Sequence, residues 1–404
     1  MLAHDSAATA IDPVALADGL ARSFAARAAA QQGFPAENHR ELHASGYLRL
    51  LLPRDQGGTE GGLLPMVRAQ ERLAQGDAAT ALVVSMALVV MGKLREDRPW
   101  PAEVFAEVCG GMLRDGGAIN NCVTEPELGS ISRGGIPRSR ATPVDGGWLV
   151  EGHKIFVTGA PALRWFLTAV VLPPSGAAPD GELATAIVAA GSPGLRIVDS
   201  WDGAMSLRGS GNSDVFYDKV FVPDRLMVER VPIGQRQGSA GGKASAPGLG
   251  PWSLAISAVY LGIGQAALEA ACDYANSRVP TALGQPIAGQ LHIQQRIGEM
   301  QAVLLAARAT LHETARLWTE RPDLRAELPA RIAAAKYLCT NAACTATEHG
   351  LRVAGGFSLT AALPLERHFR DARAGLFQPP QDDLALGVIG RAALARRRGA
   401  DTAP

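Results

Sequence analysis

The chain has little cysteine and no net charge, and each shortage excludes a class of protein. Its five cysteines are odd in number and lack CxxC spacing, which argues against a disulfide framework or a zinc site. Such cysteine usage favours a reducing cytoplasm. The 39 basic residues balance the 39 acidic ones and form no basic run, so nucleic acid is not expected as the main partner.

The chain also lacks a recognisable targeting segment and a long hydrophobic run. Residues 1–18 carry Asp5 and Asp12 and have no basic region followed by an apolar one, so no secretory signal is expected. The longest apolar stretch, residues 78–92, contains Thr80 and Ser85 and is too short to span a bilayer. These features predict a soluble protein without a membrane partner.

What the chain does have is length and apolar content. With 404 residues, of which 47% are hydrophobic and 19% charged, it is expected to form two or three packed domains. Apolar residues recur at helical spacing to about residue 115, and short β-branched or aromatic runs follow up to residue 223, as expected for an antiparallel sheet or barrel. Helical spacing returns in long segments, which are residues 252–278, 290–318, 329–353 and a shorter one after 383.

This order of helices, sheet and helices predicts an α+β fold rather than alternating βα units. We expect an N-terminal helical domain over residues 1–116, a β middle domain over 117–230 and a C-terminal helix bundle over 252–404. Residues 231–251 are rich in glycine, alanine, serine and proline and are predicted to be a loop.

Two glycine motifs imitate nucleotide-binding sequences. Gly262 and Gly264 match a relaxed GxGxxA fingerprint, but no acidic residue follows about twenty positions later, so close helix packing is the preferred interpretation. The segment at Gly241, Gly242 and Lys243 lacks the upstream glycine and the Ser/Thr of a phosphate-binding loop. Neither motif is taken as a nucleotide site.

Two segments of the middle region carry the strongest functional signal. Residues 121–130 read NCVTEPELGS, and residues 152–159 read GHKIFVTG. Together they resemble the flavin-holding middle domain of the acyl-CoA dehydrogenase family. The resemblance implies that Val123, Thr124, Phe156 and Thr158 face the flavin ring, with the aromatic covering one ring face. Fixed donors at strand ends suit a ring that accumulates charge as it accepts hydride.

The resemblance extends to substrate and cofactor contacts elsewhere. It implies that Gly129 and Ser130 contact the acyl thioester, although Ile131 stands where an aspartate is usual. Arg278 is the implied partner of the flavin pyrophosphate across a dimer interface, and Gly355 and Gly356 form the implied cofactor loop. Three other segments support the resemblance. Residues 207–223 resemble the strand that closes the middle domain, residues 283–288 resemble the turn after the first bundle helix, and residues 367–373 resemble the family's Arg-Asp segment. Before the cofactor loop, Arg352 stands where the family usually has a glutamine.

The resemblance fails at the catalytic base. Family members carry a glutamate about six residues after the Arg-Asp segment, whereas Pro379 occupies that position here, and the alternative position beside Arg278 has no acid either. Removal of an α-proton needs a carboxylate within hydrogen-bond reach. Asp382 and Asp383 are the provisional candidates, and the alternative is that they cap the final helix.

Three functions follow from this departure. The first, which is the expected function, is oxidation of an acyl thioester, with α,β-desaturation by hydride transfer to the flavin; the other two are alternatives to it. The second is a flavin-dependent monooxygenase on the same fold, which uses reduced flavin and O₂; relatives of that kind carry a histidine near Gln378, and here Gln378 and Ser132 would supply hydrogen bonds. The third is an inactive flavin- or thioester-binding protein. His153 and His292 are expected to be structural.

The resemblance also implies partners. FAD is the expected cofactor, with FMN as the alternative, and no metal is expected. An acyl-CoA or acyl-carrier-protein thioester is the expected substrate. We expect a cytoplasmic homo-oligomer, a dimer or a tetramer, that exchanges electrons with an electron-transfer flavoprotein or a flavin reductase.

Overall fold

The computed structural model describes residues 11–28, 33–128, 135–235 and 250–400. Its first part is helical, and local sequence explains where several helices begin and end. The Asp77 carboxylate accepts a hydrogen bond from the Thr80 amide at 2.7 Å and so caps α4, while Gly116 ends α5 in the left-handed conformation, with φ 75°. The helices are α1 (Pro13–Ala28), α2 (Ala36–Ala44), α3 (Leu63–Gly76), α4 (Ala78–Asp97) and α5 (Ala102–Asp115).

The second part is one mixed sheet of eight strands. Its order is β6-β7-β3-β2-β4-β5-β8, and β1 pairs with β4. The strands are β1 (Ala118–Cys122), β2 (Arg140–Val144), β3 (Gly147–Val157), β4 (Leu163–Leu172), β5 (Glu182–Ala189), β6 (Leu195–Val198), β7 (Ser213–Pro223) and β8 (Met227–Pro232). The expectation of an antiparallel sheet holds for most pairs, but β1 and β2 both run parallel to β4. Short apolar runs indicate strands, but the direction in which β1 and β2 pair with β4 depends on how the chain connects these strands.

The third part is a bundle of long helices. It contains α6 (Leu254–Ser277), α7 (Leu291–Glu320), α8 (Leu328–Ala354), the short α9 (Leu365–Ala372) and α10 (Asp382–Ala400). Gly262 and Gly264 lie inside α6, where an added Cβ would approach within 2.4 Å of the Glu71 carbonyl oxygen and within 2.7 Å of a Leu304 methyl group. The helix-packing interpretation of these glycines is therefore confirmed, and the predicted three-part α+β fold is confirmed with it.

Two helices of the described part are long and apolar enough to cross a membrane by length and composition alone. They are α4, with 20 residues, and the segment Pro251–Ser277. The prediction that the apolar stretch from residue 78 is too short to span a bilayer was wrong, because the helix that contains it continues to Asp97. Their most apolar windows are 78% and 72% buried inside the protein, as expected for core helices that pack against each other.

Candidate active site

The two middle-domain motifs meet around a buried ion pair. Glu125 follows β1 and Lys154 lies in β3, and the Lys154 ammonium donates to the Glu125 carboxylate at 2.6 Å with both side chains almost wholly buried. The same carboxylate accepts hydrogen bonds from the Ser139 hydroxyl and from the amides of Arg138 and Ser139, at 2.6 to 3.0 Å. Beside them, the Ile155 amide donates to the Thr124 carbonyl at 2.9 Å. The two segments therefore form one rigid unit.

The pKa values of both members of this pair are shifted by burial and by their mutual hydrogen bond. Burial acts to raise the pKa of Glu125, but the hydrogen bonds from Lys154, Ser139 and Arg138 outweigh it, so the pKa of Glu125 is lowered. Burial lowers the pKa of Lys154, and Glu125 opposes that effect. Neither residue was predicted to be a site residue from the sequence. The available signal was a lysine inside an apolar strand, because a lysine in such a place needs a buried partner.

Phe156 is turned outward by an irregularity in β3. The register between β3 and β7 shifts between Lys154 and Val157, and Phe156 adopts a left-handed conformation with φ 57°. Phe156 is left 57% exposed, and its ring forms a T-shaped pair with the Trp201 ring at 5.9 Å between centroids. A bulge that re-aims one side chain, together with a strained residue, is typical of a binding site.

The other three ring-facing candidates lie on the same unit. Val123 is exposed, and Thr124 next to it is half-buried and bonded to the Ile155 amide. Thr158 is buried; its hydroxyl donates to the Asn212 side chain at 2.9 Å, and its carbonyl accepts from Asn120 at 3.0 Å. The structure thus brings the four predicted residues to one end of the sheet. Gly129, Ser130 and Ser132 lie outside the described residues.

The predicted phosphate contacts form a second group on the bundle. The guanidinium of Arg278, at the end of α6, lies 4.9 Å from the centroid of the Phe357 ring, and Phe357 follows the Gly355-Gly356 pair. Gly355 has a positive φ of 58°, and a Cβ added at either glycine would meet no atom within 4 Å. Phe357 is itself 53% exposed. This group therefore offers a cation, an aromatic face and open backbone.

The position of the missing base is occupied by neutral groups. Gln378 and Pro379 follow α9, and Gln378 lies beside the hydroxyl of Tyr260, a fully buried residue of α6. That hydroxyl makes no hydrogen bond of good geometry within the described part of the chain. Burial raises the pKa of the Tyr260 hydroxyl, and the neighbouring Gln378 acts in the opposite direction.

The two aspartates proposed as a base stand at the start of α10. The Asp382 carboxylate accepts from the buried Lys336 ammonium at 3.1 Å and from the Asn341 amide at 3.0 Å, and both partners lie on α8. Asp383 is exposed. Asp382 is therefore already used in joining α10 to α8, and its place in the first turn also agrees with the helix-capping alternative.

A groove of about 560 Å³ lies elsewhere, between α2 and the start of β4. It is lined by side chains such as Phe34, His39 and Arg164, and by none of the predicted site residues. We therefore place the candidate site at the sheet end and the Gly355 loop rather than in this groove.

The residues present fit a flavin dinucleotide. The sheet end supplies an exposed ring, Phe156, beside backbone groups that are held in place by the Glu125–Lys154 pair. The bundle supplies Arg278 for an anion and two glycines that allow close approach of a phosphate or ribose. Two large aromatic rings that are more than half exposed, one in each group, are surfaces that a planar or sugar-phosphate ligand would cover.

Comparison with known proteins agrees with this reading. Profiles for the acyl-CoA dehydrogenase N-terminal, middle and C-terminal domains match residues 15–95, 120–220 and 254–377. The chain belongs to the acyl-CoA dehydrogenase family. The family that the two middle-domain motifs predicted is thereby confirmed, and membership supports an oxidoreductase that works with a flavin.

Its relatives differ in what they do. YdbM of Bacillus subtilis (strain 168), classed as an acyl-CoA dehydrogenase, is 37% identical over 359 residues, which cover 88% of this chain and 89% of YdbM. The amino sugar nitrososynthase RubN8 of Streptomyces rubradiris is 28% identical over 354 residues, which cover 86% of this chain and 80% of RubN8. The dibenzothiophene monooxygenase TdsC of Paenibacillus sp. A11-2, in its FMN-bound structure, shares the fold, with a TM-score of 0.81 and 23% identity over 95% of this chain and 97% of TdsC.

Proposed function

We propose that this family member is a flavin-dependent oxidoreductase of the monooxygenase type, which combines reduced flavin with O₂ and does not remove an α-proton. The observation that carries the proposal is the environment of the missing base. Pro379 stands at the family's glutamate position. Of the two candidate carboxylates that follow it, Asp382 is bonded through both oxygens to Lys336 and Asn341, and Asp383 is exposed in the first turn of α10. A carboxylate so engaged is not free to take a proton from a substrate.

The surrounding chemistry is neutral. Gln378 offers a hydrogen bond rather than a base, and its neighbour Tyr260 is fully buried. When bound in reduced form, a flavin supplies two electrons to O₂, and the substrate supplies two more, so that one oxygen atom enters the substrate and the other leaves as water. In this reaction the protein needs to hold the ring, exclude water and orient the substrate. Phe156, the Thr124 and Thr158 backbone and Gln378 are the residues we assign to those tasks.

The name of one relative supports the proposed reaction. RubN8 is named as an amino sugar nitrososynthase, and it matches this chain over most of its length. That name supports a substrate other than an acyl thioester. The likeness to TdsC concerns the fold alone.

Dehydrogenation of an acyl thioester is the second candidate. The specific observation in its favour is the 37% identity with YdbM, which is higher than that with RubN8. In this reaction Asp382 or Asp383 would take the α-proton while hydride passes to the flavin. Asp382 would first have to leave Lys336 and Asn341.

We also propose a cofactor, an assembly and a protein partner for this enzyme. FAD is preferred over FMN because Arg278 and the Gly355 loop provide a place for a second phosphate and a nucleoside. A cytoplasmic location is proposed from the cysteine usage alone. A homo-oligomer is supported by exposed apolar residues on the bundle helices, and an interface there would complete the cofactor site. These residues are Leu291, Leu305, Leu338, Leu384, Leu386 and Leu394. A flavin reductase is the partner that the proposed reaction requires.

Two experiments on one flavin-loaded preparation separate the candidates. In the first, the oxidised protein is titrated without oxygen against a panel of acyl-CoA thioesters while the visible flavin band is followed. In the second, chemically reduced protein is mixed with O₂ and candidate substrates, and isotopically labelled oxygen is traced into the product. The proposal predicts no bleaching by any thioester and label in a product. Bleaching by one chain class would establish the dehydrogenase instead.

The variant Asp382→Asn gives the matched control for both experiments. If Asp382 is a base, the variant loses reduction by thioester while it still binds flavin. If Asp382 only joins α10 to α8, the variant changes stability and leaves the oxygen-dependent reaction in place.

A further inference from the structure

The loop that connects β6 to β7, residues 199–212, is fastened to α9 of the bundle. The Leu207 amide donates to the Asp371 carboxylate at 2.7 Å, and the Ser206 hydroxyl donates to the Asp371 carbonyl at 3.0 Å. Arg370 donates to the Met205 carbonyl at 3.0 Å. Three consecutive loop residues are thus bonded to two consecutive residues of α9, about 165 positions away in sequence.

The same loop supports the aromatic ring of the candidate flavin site. The indole N–H of Trp201 donates to the Ser206 carbonyl at 3.0 Å, and the Trp201 and Phe156 rings form a T-shaped pair with an interplanar angle of 81°. Ser206 therefore bonds to Asp371 through its hydroxyl and to Trp201 through its carbonyl. A continuous path of contacts runs from α9 through Ser206 and Trp201 to Phe156.

This path contains strained and buried groups, which need support from their neighbours. Leu207 has a positive φ of 51°, an unfavourable conformation for a leucine. Its amide is held in place by the buried Asp371 carboxylate. Phe156, at the other end, has the strained conformation already described. Strained backbone conformations such as these persist only where the surrounding contacts hold them in place. For Leu207 that contact is the hydrogen bond to Asp371, the charged residue of α9 that bonds directly to it.

We infer that Asp371 is a positioning residue, which fixes the 199–212 loop on the bundle so that Trp201 holds Phe156 against the face of the flavin ring. The inference rests on the proposed flavin site. Asp371 acts through the loop and makes no contact with the substrate. Through this loop, the position of α9 against the middle domain determines the orientation of Phe156.

The test compares Asp371→Ala with Asp371→Asn and with Glu71→Gln. Asparagine keeps an oxygen acceptor for the Leu207 amide, whereas alanine removes it. Glu71 is a buried carboxylate on α3 that bonds to Arg308 of α7, so its variant weakens another domain contact without touching the loop. Amide hydrogen exchange of residues 201–211 is measured with and without flavin, together with visible circular dichroism of the bound flavin.

We expect Asp371→Ala to speed exchange at Leu207 by about tenfold or more, as for the loss of a hydrogen bond to a charged group. It should also change the visible dichroism, and Asp371→Asn should keep both close to wild type. Glu71→Gln should lower the melting temperature and leave both unchanged. A folded Asp371→Ala protein with wild-type exchange and wild-type dichroism would overturn the inference.

If Asp371→Ala does not fold, Ser206→Ala and Trp201→Leu interrupt the same path at later points. Each is then expected to change the visible dichroism, and unchanged dichroism in both would overturn the inference. Amide hydrogen exchange measured in the flavin-free protein tests the attachment of the loop independently of the proposed function. A protein that takes up no flavin refutes the proposed function and the flavin part of the inference, while accelerated exchange in Asp371→Ala still establishes the attachment of the loop.

Discussion

Replacing Lys154 by methionine tests whether the Glu125–Lys154 pair builds the candidate site. Methionine fills a similar volume but leaves the Glu125 carboxylate buried without its cation. Removing one partner of a buried pair costs about 3–5 kcal/mol. We expect the lower end, about 3 kcal/mol, because three hydrogen bonds to Glu125, from Ser139 and Arg138, remain in the variant.

The assay combines thermal and urea unfolding with the flavin content of the purified protein. Because the pair lies directly beside the hydrogen bond between the Ile155 amide and the Thr124 carbonyl, the variant should also lose bound flavin. The double variant Lys154→Met/Glu125→Gln removes both charges and should recover about 1–2 kcal/mol of the loss, which appears as coupling in a double-mutant cycle.

Arg316→Met is the control, since Arg316 pairs with Glu313 and Glu320 on the exposed side of α7. It should leave stability and flavin content unchanged, as expected of surface ion pairs. The reasoning is refuted if Lys154→Met unfolds at the wild-type midpoint, or if the two substitutions are additive.

Three further predictions concern the bundle. Burial raises the pKa of Asp371 from 3.8 to about 6, against the hydrogen bond from Leu207 and the nearby Arg367 and Arg370, while Asp77 adds to the rise. Because the pKa is higher in the folded state, it contributes stability below pH 3.8, and this stability is lost as the pH rises through about 6. Across that window the wild-type protein should therefore lose about 3 kcal/mol of unfolding free energy relative to Asp371→Asn, so that the urea midpoints of the two proteins converge or cross. Urea midpoints that stay a constant distance apart would contradict this prediction. Asp382→Asn should destabilise the protein by about 2 kcal/mol, because it leaves the Lys336 ammonium buried without a charged partner, and it should not abolish oxygen-dependent turnover. A wild-type protein whose flavin is reduced by a thioester, and a folded variant whose flavin is not, would restore Asp382 as the base. Arg278→Ala should weaken the uptake of FAD more than that of FMN in equilibrium dialysis, and equal weakening would place Arg278 away from the pyrophosphate.

Much of the site could be predicted from short stretches of sequence. Phe156 and Thr158 were found because they lie in a motif of eight residues, and the loss of the base was visible because proline has no group that accepts a proton. The packing role of Gly262 and Gly264 was also predictable, since the apolar pattern runs through them without a break. Each of these features is local, so periodicity or a motif is sufficient to detect it.

The tertiary structure decided how these local features are joined. Glu125 and Lys154 are 29 positions apart, and Leu207 and Asp371 are 164 apart, so no periodic pattern reports either bond. The parallel pairing of β1 with β4 and the outward turn of Phe156 likewise depend on neighbouring strands rather than on the residues themselves. By itself the sequence determined the family, the three-part α+β order and the absence of the usual base. Which buried charges hold the site together depended on the packing, because burial and partner distance arise only when separate segments come together.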